Sequence, residues 1–372
     1  MPRARPSARA RALALALAAV GALAACGWSR DWDDTRYLCP DDTCPAGQEC
    51  RAGRCEPAED GAGDPPWWDP DWTLRRPLFI DNLAAEPLAA GMAIGWIHDL
   101  DELVGTAHRD LQVVRWTGSE WVRLATFADG QPDTRETLWF ELDADLPVDR
   151  RDSRHWVYYG YLDSPLAPTM DPPADFGFEL WDSFDGAALD EALWAWAGDV
   201  GVVDANLVVA PGGQLRSQLS WPPGHAVDVK MNLVPPLSAS FWVGFQHPDD
   251  DSADDEPLAL WSYRGEVADT MSAEFWMSAT GEARFAMPDV ALAAVDSEHT
   301  FTVVRLTAGA TWWHENEFRL AYQLPDGAPP VLDPIHVRVV NQGSGTLTVE
   351  RIRVRPAIDP APALTLGDEE SL

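Results

Sequence analysis

The sequence predicts an all-β fold: a small β-sandwich-like domain followed by a larger two-sheet sandwich of jelly-roll size, with a short disulfide-rich segment ahead of both. Three observations carry that prediction. From Trp67 onward the chain runs in short stretches that alternate apolar and polar residues, the two-residue period of strands with one buried face. Those stretches are separated by clusters drawn from 31 prolines, 27 glycines and many aspartates, all turn formers. The chain is also poor in the residues of long surface helices, with a single lysine, Lys230, and its best helical period is the short stretch Ala188 to Trp196.

In the first block, residues 67–170, strands are expected near Leu74 to Asp81, Gly91 to Ile97, Leu111 to Trp116, Trp121 to Phe127, Thr137 to Leu142 and His155 to Tyr161. About six strands suffice for one small sandwich. In the second block, residues 176–357, about twelve strands are expected, enough for two packed sheets of jelly-roll size. They run from Val202 to Val209, through Ala226 to Leu233, Ala239 to Gln246, Leu258 to Tyr263 and Thr300 to Leu306, to Thr346 to Val354. The tail, residues 358–372, is proline-rich and then acidic and reads as disordered.

Ahead of these blocks, Arg3, Arg5, Arg9 and Arg11 form a basic region before the apolar run Ala12 to Ala25, so residues 1–25 read as a signal peptide. The run ends in Leu23-Ala24-Ala25-Cys26, which resembles the lipobox of bacterial lipoproteins, where small residues precede a cysteine that is acylated and cleaved on its amino side. The resemblance implies a lipid on Cys26, a tether over residues 26–38, a membrane partner reached through that lipid, and a body outside the cytoplasm. Gly27 stands where some inner-membrane lipoproteins carry aspartate, so the outer membrane is the expected location. Cys39, Cys44, Cys50 and Cys55 then form an even set in residues 39–55, for which two disulfides are expected with the pairing left open. The spacing, four, five and four residues without a histidine, argues against zinc. Residues 56–66 offer nothing large to bury and read as a linker. The formal charge of -33 excludes nucleic acid and anionic headgroups as natural partners and reads as a solvated acidic surface.

Several segments of the first block resemble the bacterial domain-of-unknown-function 2341 family. They are Trp72-Thr73-Leu74-Arg75-Arg76, Arg109-Asp110-Leu111-Gln112-Val113, Trp139-Phe140-Glu141-Leu142 and Trp156-Val157-Tyr158-Tyr159-Gly160. The second block is similar to the domain that succeeds this one in the family. Phe176-Gly177-Phe178-Glu179-Leu180-Trp181-Asp182-Ser183-Phe184-Asp185 resembles the junction, and Glu298 to Arg305 and Thr348 to Arg355 resemble strands of a concanavalin A-like lectin/glucanase sandwich. The resemblance implies architecture over about residues 67–357, and that fold hosts lectins, glycosidases and structural modules alike.

Glucanases of this fold carry alternating carboxylates on one strand as nucleophile and acid/base. The nearest match, Glu141-Leu142-Asp143-Ala144-Asp145, lies in the first block and reads as a strand running into a turn. Glu315 and Glu317 alternate without a third carboxylate and read as edge residues. The run from His247 to Glu256 reads as a self-repelling loop, with calcium on Asp249, Asp251 and Asp254 as the alternative. No other cofactor is expected, and the eight histidines stand singly. Nineteen tryptophans are the strongest oddity of the composition. In the sandwich Trp242, Trp261, Trp276 and Trp313 are the candidates for a platform on which sugar rings stack. The expected function is a membrane-anchored, non-enzymatic module that binds glycans or another envelope component. The alternatives are a structural or protein-binding lipoprotein and a glycoside hydrolase.

Overall fold

Alternation resolves into strands throughout the computed structural model, and no helix occurs among the described residues. Those residues are 48–51, 54–57, 65–99, 111–130, 135–161, 172–173, 175–232, 240–246, 258–264, 270–276, 285–286, 290–291, 298–314, 317–323 and 332–372. The chain divides into two units, residues 1–63 and 64–372. In the first, β1 (Gln48–Arg51) and β2 (Arg54–Pro57) form an antiparallel hairpin in which Cys50 lies opposite Cys55 in register. Cys26, Cys39 and Cys44 lie outside the described residues.

The second unit opens with the small domain: β3 (Leu74–Asp81), β4 (Ala93–Asp99), β5 (Gln112–Trp116), β6 (Trp121–Arg123), β7 (Thr126–Gly130), β8 (Arg135–Glu141) and β9 (Arg151–Tyr159). β3, β9, β5 and β6 form one antiparallel sheet, and β4, β8 and β7 form a second. Strand alternation turns Ile80, Val113, Val157 and Tyr159 of the first sheet toward Ile94, Trp96, Leu138 and Phe140 of the second, and all are buried.

The sandwich follows as β10 (Leu180–Asp182), β11 (Trp194–Ala197), β12 (Val200–Val203), β13 (Asn206–Val209), β14 (Gln214–Trp221), β15 (His225–Asn232), β16 (Ser240–Gln246), β17 (Leu258–Arg264), β18 (Thr270–Trp276), β19 (Phe285–Ala286), β20 (Val290–Ala291), β21 (Glu298–Leu306), β22 (Gly309–His314), β23 (Glu317–Gln323), β24 (Ile335–Asn341) and β25 (Leu347–Pro356). One eight-stranded sheet runs β12-β13-β25-β15-β21-β22-β23, with β10 beside β25, and its outer face meets the small domain, so it is called proximal. The other, called distal, runs β11-β14-β24-β16-β17-β18-β19, with β20 beside β18. Between them lies a core that includes Val229, Phe241, Val243, Phe245, Trp261, Phe301, Val303, Trp312, Val337, Val339 and Ile352.

The weak helical period comes to nothing, in keeping with the all-β expectation, and one expectation is corrected, that of a disordered tail. The stretch Ala188 to Trp196 is not helical: residues 191–193 form a turn and Trp194 opens β11, whose indole is buried against Phe184 and donates to Asp182 Oδ2 at 2.6 Å. Tertiary burial of that one tryptophan outweighs a weak local period. The tail is ordered as β26 (Ala363–Leu366) and β27 (Glu370–Ser371), both antiparallel to β3. It covers the open edge of the small domain, where Glu370 pairs with Arg75 at 2.7 Å and Glu369 accepts from the Tyr159 hydroxyl. The acidic residues that suggest a solvated tail are partners for groups on the domain it returns to.

Candidate functional site

The two outer faces of the sandwich are built differently. On the proximal face, β15 and β25 are register neighbours, so Asp228 lies beside Arg353, and neighbouring outward positions carry Arg351, Arg355 and Thr302. Arg353 Nε donates to Asp228 Oδ2 at 2.6 Å, Arg355 Nε to the same oxygen at 3.0 Å, and the Thr302 hydroxyl to Oδ1 at 2.6 Å. From the small domain, Asp129 on β7 accepts from both Arg351 and Arg353. Aromatic rings close the space around these charges. The Arg353 guanidinium lies 4.2 Å from the Trp139 ring centroid and 5.5 Å from that of Phe178, and Arg351 lies 4.9 Å from Trp181. Phe127, Trp139 and Phe176 complete a buried aromatic layer between the two domains.

Burial alone would raise the carboxyl pKa values here, yet the facing guanidinium groups win. Asp129 is held below the ordinary carboxylate range by Arg351 and Arg353, and Asp228 well below it by Arg355 and Arg353. Burial also disfavours the charged form of Arg353, but the two carboxylates raise its pKa. This face is therefore a permanently charged, desolvated seam. Beside it lies a cavity of about 140 Å³, lined by β4 and β8 of the small domain, β21 and β22 of the sandwich, and the connector 355–362.

The distal outer face carries no such cover from the small domain among the described residues. Registers align Arg216, Arg338, Gly244 and Leu260 across β14, β24, β16 and β17, continuing to Glu274 on β18. Trp242 and Gln246 flank Gly244 on the same strand face, and the Trp242 indole N–H donates to Gln246 Oε1 at 3.3 Å. Gly244 has φ 147°, and a Cβ there would stand 2.5 Å from the Ala259 carbonyl oxygen, so the backbone must stay bare in the middle of the face. Arg338 donates to Gln214 Oε1 at 2.7 Å, and His336 Nδ1 lies 2.7 Å from the Ser217 carbonyl oxygen. Gln246 and Arg338 are themselves buried, at 2% and 5% exposure, so Trp242 and His336, both half-buried, are the groups among these that reach outward.

Of the four candidate tryptophans, Trp242 alone is a described side chain on this face. Trp261 is fully buried in the core, where its indole donates to the Thr302 carbonyl at 3.0 Å, so it offers no stacking surface. Trp313 is half-buried at the domain seam, fixed by an indole hydrogen bond to Thr311 Oγ1 at 3.1 Å. Trp276 belongs to β18 opposite Leu258, and is described only by its backbone. Asp249, Asp251, Asp254 and Glu315 lie outside the described residues, and Glu317 is described only by its backbone in β23. Among the described residues no group of three or more metal-binding side chains forms.

Glu141 ends β8 half-buried, and burial raises its pKa, while Asp143 pairs with Arg115 and Asp145 accepts from the Ala90 amide at 2.9 Å. These carboxylates shape a turn. The expectation that histidines stand singly is corrected by His299 and His314, both buried on β21 and β22, whose ring nitrogens lie 3.1 Å apart. Their spacing of fifteen residues carries no local signal; the β21–β22 hairpin brings them together.

No family model matches this chain, and no curated protein matches it. Solved structures do. One comes from work on endo-acting O-glycanases that human gut microbiota express to initiate mucin breakdown; it is 14% identical, covering 48% of this chain and 99% of its own, at a TM-score of 0.42. An endo-β-1,3-glucanase from Pyrococcus furiosus is 12% identical, covering 51% and 95%, at 0.39. A β-1,3-glucanase from Mycobacterium marinum is 16% identical, covering 48% and 98%, at 0.36. The likeness is one of fold. Because these matches are glycanases and glucanases, the expectation of a non-enzymatic binding module, and of a chain that is not an enzyme, is corrected.

Proposed function

We propose that this chain is a glycan-active enzyme of the glycoside-hydrolase type, displayed outside the cytoplasm by a lipid on Cys26, with its substrate laid across the distal face. The observation that carries the reading is the half-buried Trp242 beside the bare Gly244 backbone, with the buried Gln246 and Arg338 next to them. Sugar rings present apolar C–H faces to an indole and hydroxyls to amides and guanidinium groups. The seam consumes the equivalent surface of the proximal sheet, whereas among the described residues the small domain does not cover the distal face. Hydrolysis needs carboxyl groups on either side of the glycosidic bond, and the reading assigns proton transfer to Glu274, placed in the Gly244 row by register. The domain-of-unknown-function 2341 resemblance fits a spacer role for the first domain.

The test is release of reducing ends from β-1,3-glucan and from mucin O-glycans by the full chain, compared with Glu274→Gln. The reading expects release by the wild type and a loss of at least about a hundredfold in the variant. No release from either substrate would overturn it. Metabolic labelling with a palmitate analogue tests the anchor, and label retained by Cys26→Ala would contradict it.

A further inference from the structure

The cavity at the domain seam is separate from the distal face, and the hydrolase reading makes no use of it. Its floor is a patch of the proximal sheet where Thr302 pairs with Trp313 and Val304 with Thr311 in register. Its wall is Thr137 and Trp139 on β8 together with β4, an outer strand of its sheet. The connector 355–362 roofs it and contributes Arg355. The Trp313 indole is held by Thr311, which fixes the plane of a half-buried ring at the cavity.

One group is left over. Trp139 is 3% exposed, and its indole N–H finds no acceptor among the described residues. An unmade hydrogen bond at a buried donor costs about 1–3 kcal/mol, which an incoming oxygen would recover. The ring itself is tightly placed, since a Cβ at Gly95 would stand 2.8 Å from its Cη2 atom, so the donor does not swing out to water. A cavity of roughly 150 Å³ holds a benzene-sized ring. Here the 140 Å³ has a mostly apolar lining that includes two indoles, into which three threonines, Arg355 and Asp359 bring a few polar groups.

We infer that the seam cavity is a binding site for a single pyranose ring, stacked on Trp313 and accepting a hydrogen bond from Trp139. Because its walls come from both β domains and the connector, an occupied site ties the two domains together more firmly than an empty one.

Saturation-transfer NMR on the full chain tests this with four probes: glucose, galactose, N-acetylglucosamine and N-acetylgalactosamine. At least one is expected to receive saturation. Trp313→Ala should weaken that sugar about tenfold, as loss of one stacking surface predicts. Trp139→Phe, which removes the donor and leaves a smaller ring in the seam, should weaken it more than the accompanying fall in thermal midpoint accounts for. Thr137→Val provides a second seam variant should Trp139→Phe unfold, and it too should weaken the sugar. No transfer to any of the four would overturn the inference. Transfer abolished by Trp242→Ala and untouched by Trp313→Ala would also overturn it, placing the sugar on the distal face and leaving the hydrolase reading intact. Failure of reducing-end release, with transfer still dependent on Trp313, would overturn the hydrolase reading alone.

Discussion

The proximal and distal faces belong to one sandwich and share one alternation, yet they meet opposite demands. The proximal face presents Arg351, Arg353, Arg355 and Asp228, charged residues that a solvent-facing strand would also carry. They are nonetheless buried, or nearly so, because Asp129, Phe127 and Trp139 arrive from the small domain and Phe178 and Trp181 complete the ring layer. Among the described side chains the distal face holds fewer charges and one half-buried indole, and its central strand gives up a side chain at Gly244. Charge on a strand therefore does not mark the open face. What separates the two faces is the small domain, which brings the complementary charge to one of them.

Substitutions should separate the faces by size of effect. Asp228→Asn removes the carboxylate shared by Arg353 and Arg355 in a desolvated seam, and should lower stability by about 3 kcal/mol, read by denaturant unfolding. A loss under about 1 kcal/mol would mean that water reaches the seam. Deleting residues 363–372 removes two strands from the β3 edge, the Arg75–Glu370 ion pair and the Tyr159–Glu369 hydrogen bond, and should cost about 2 kcal/mol. An unchanged midpoint would show that the small domain does not depend on its returning tail.

Acid should destabilise the protein through the seam, whose carboxylates resist protonation in the folded state. Asp129 and Asp228 have folded pKa values below the unfolded value near 3.9, so their contribution is complete above that value and is lost as pH falls through the folded ones. Thermal midpoints should thus be level from about pH 7 to 5 and fall below about pH 4, a fall that Asp228→Asn should make shallower. The smallest change in stability belongs to Trp242→Ala on the distal face, within about 1 kcal/mol of wild type, while reducing-end release drops about tenfold.

Much of the fold was legible because the period of strands is local. The stretch Leu74–Asp81 is a strand with the expected bounds, and most others shift by one to three residues. The stretch Val202 to Val209 splits into β12 and β13 at Asp204 and Ala205, both at positive φ, where a hairpin turn interrupts an otherwise continuous apolar run. The candidate site was less legible. Period two says that Trp312 and Trp313 face opposite ways and leaves open which one is inside; packing puts Trp312 in the core. Trp261 and Trp242 lie on neighbouring strands, but their register sets Trp242 opposite Ser262 and turns Trp261 inward beside Val243. The seam could not be read at all, since Asp129 and Arg353 lie 224 residues apart and meet only through domain packing.

Hydrogen–deuterium exchange of the full chain with a bound glucan oligosaccharide tests the difference between the faces most directly. Slowed exchange is predicted in β16, β17 and β24, the strands beneath Trp242 and Gly244. Protection confined to β8, β21 and β22, with none on the distal strands, would contradict an open distal face as the place where substrate lies.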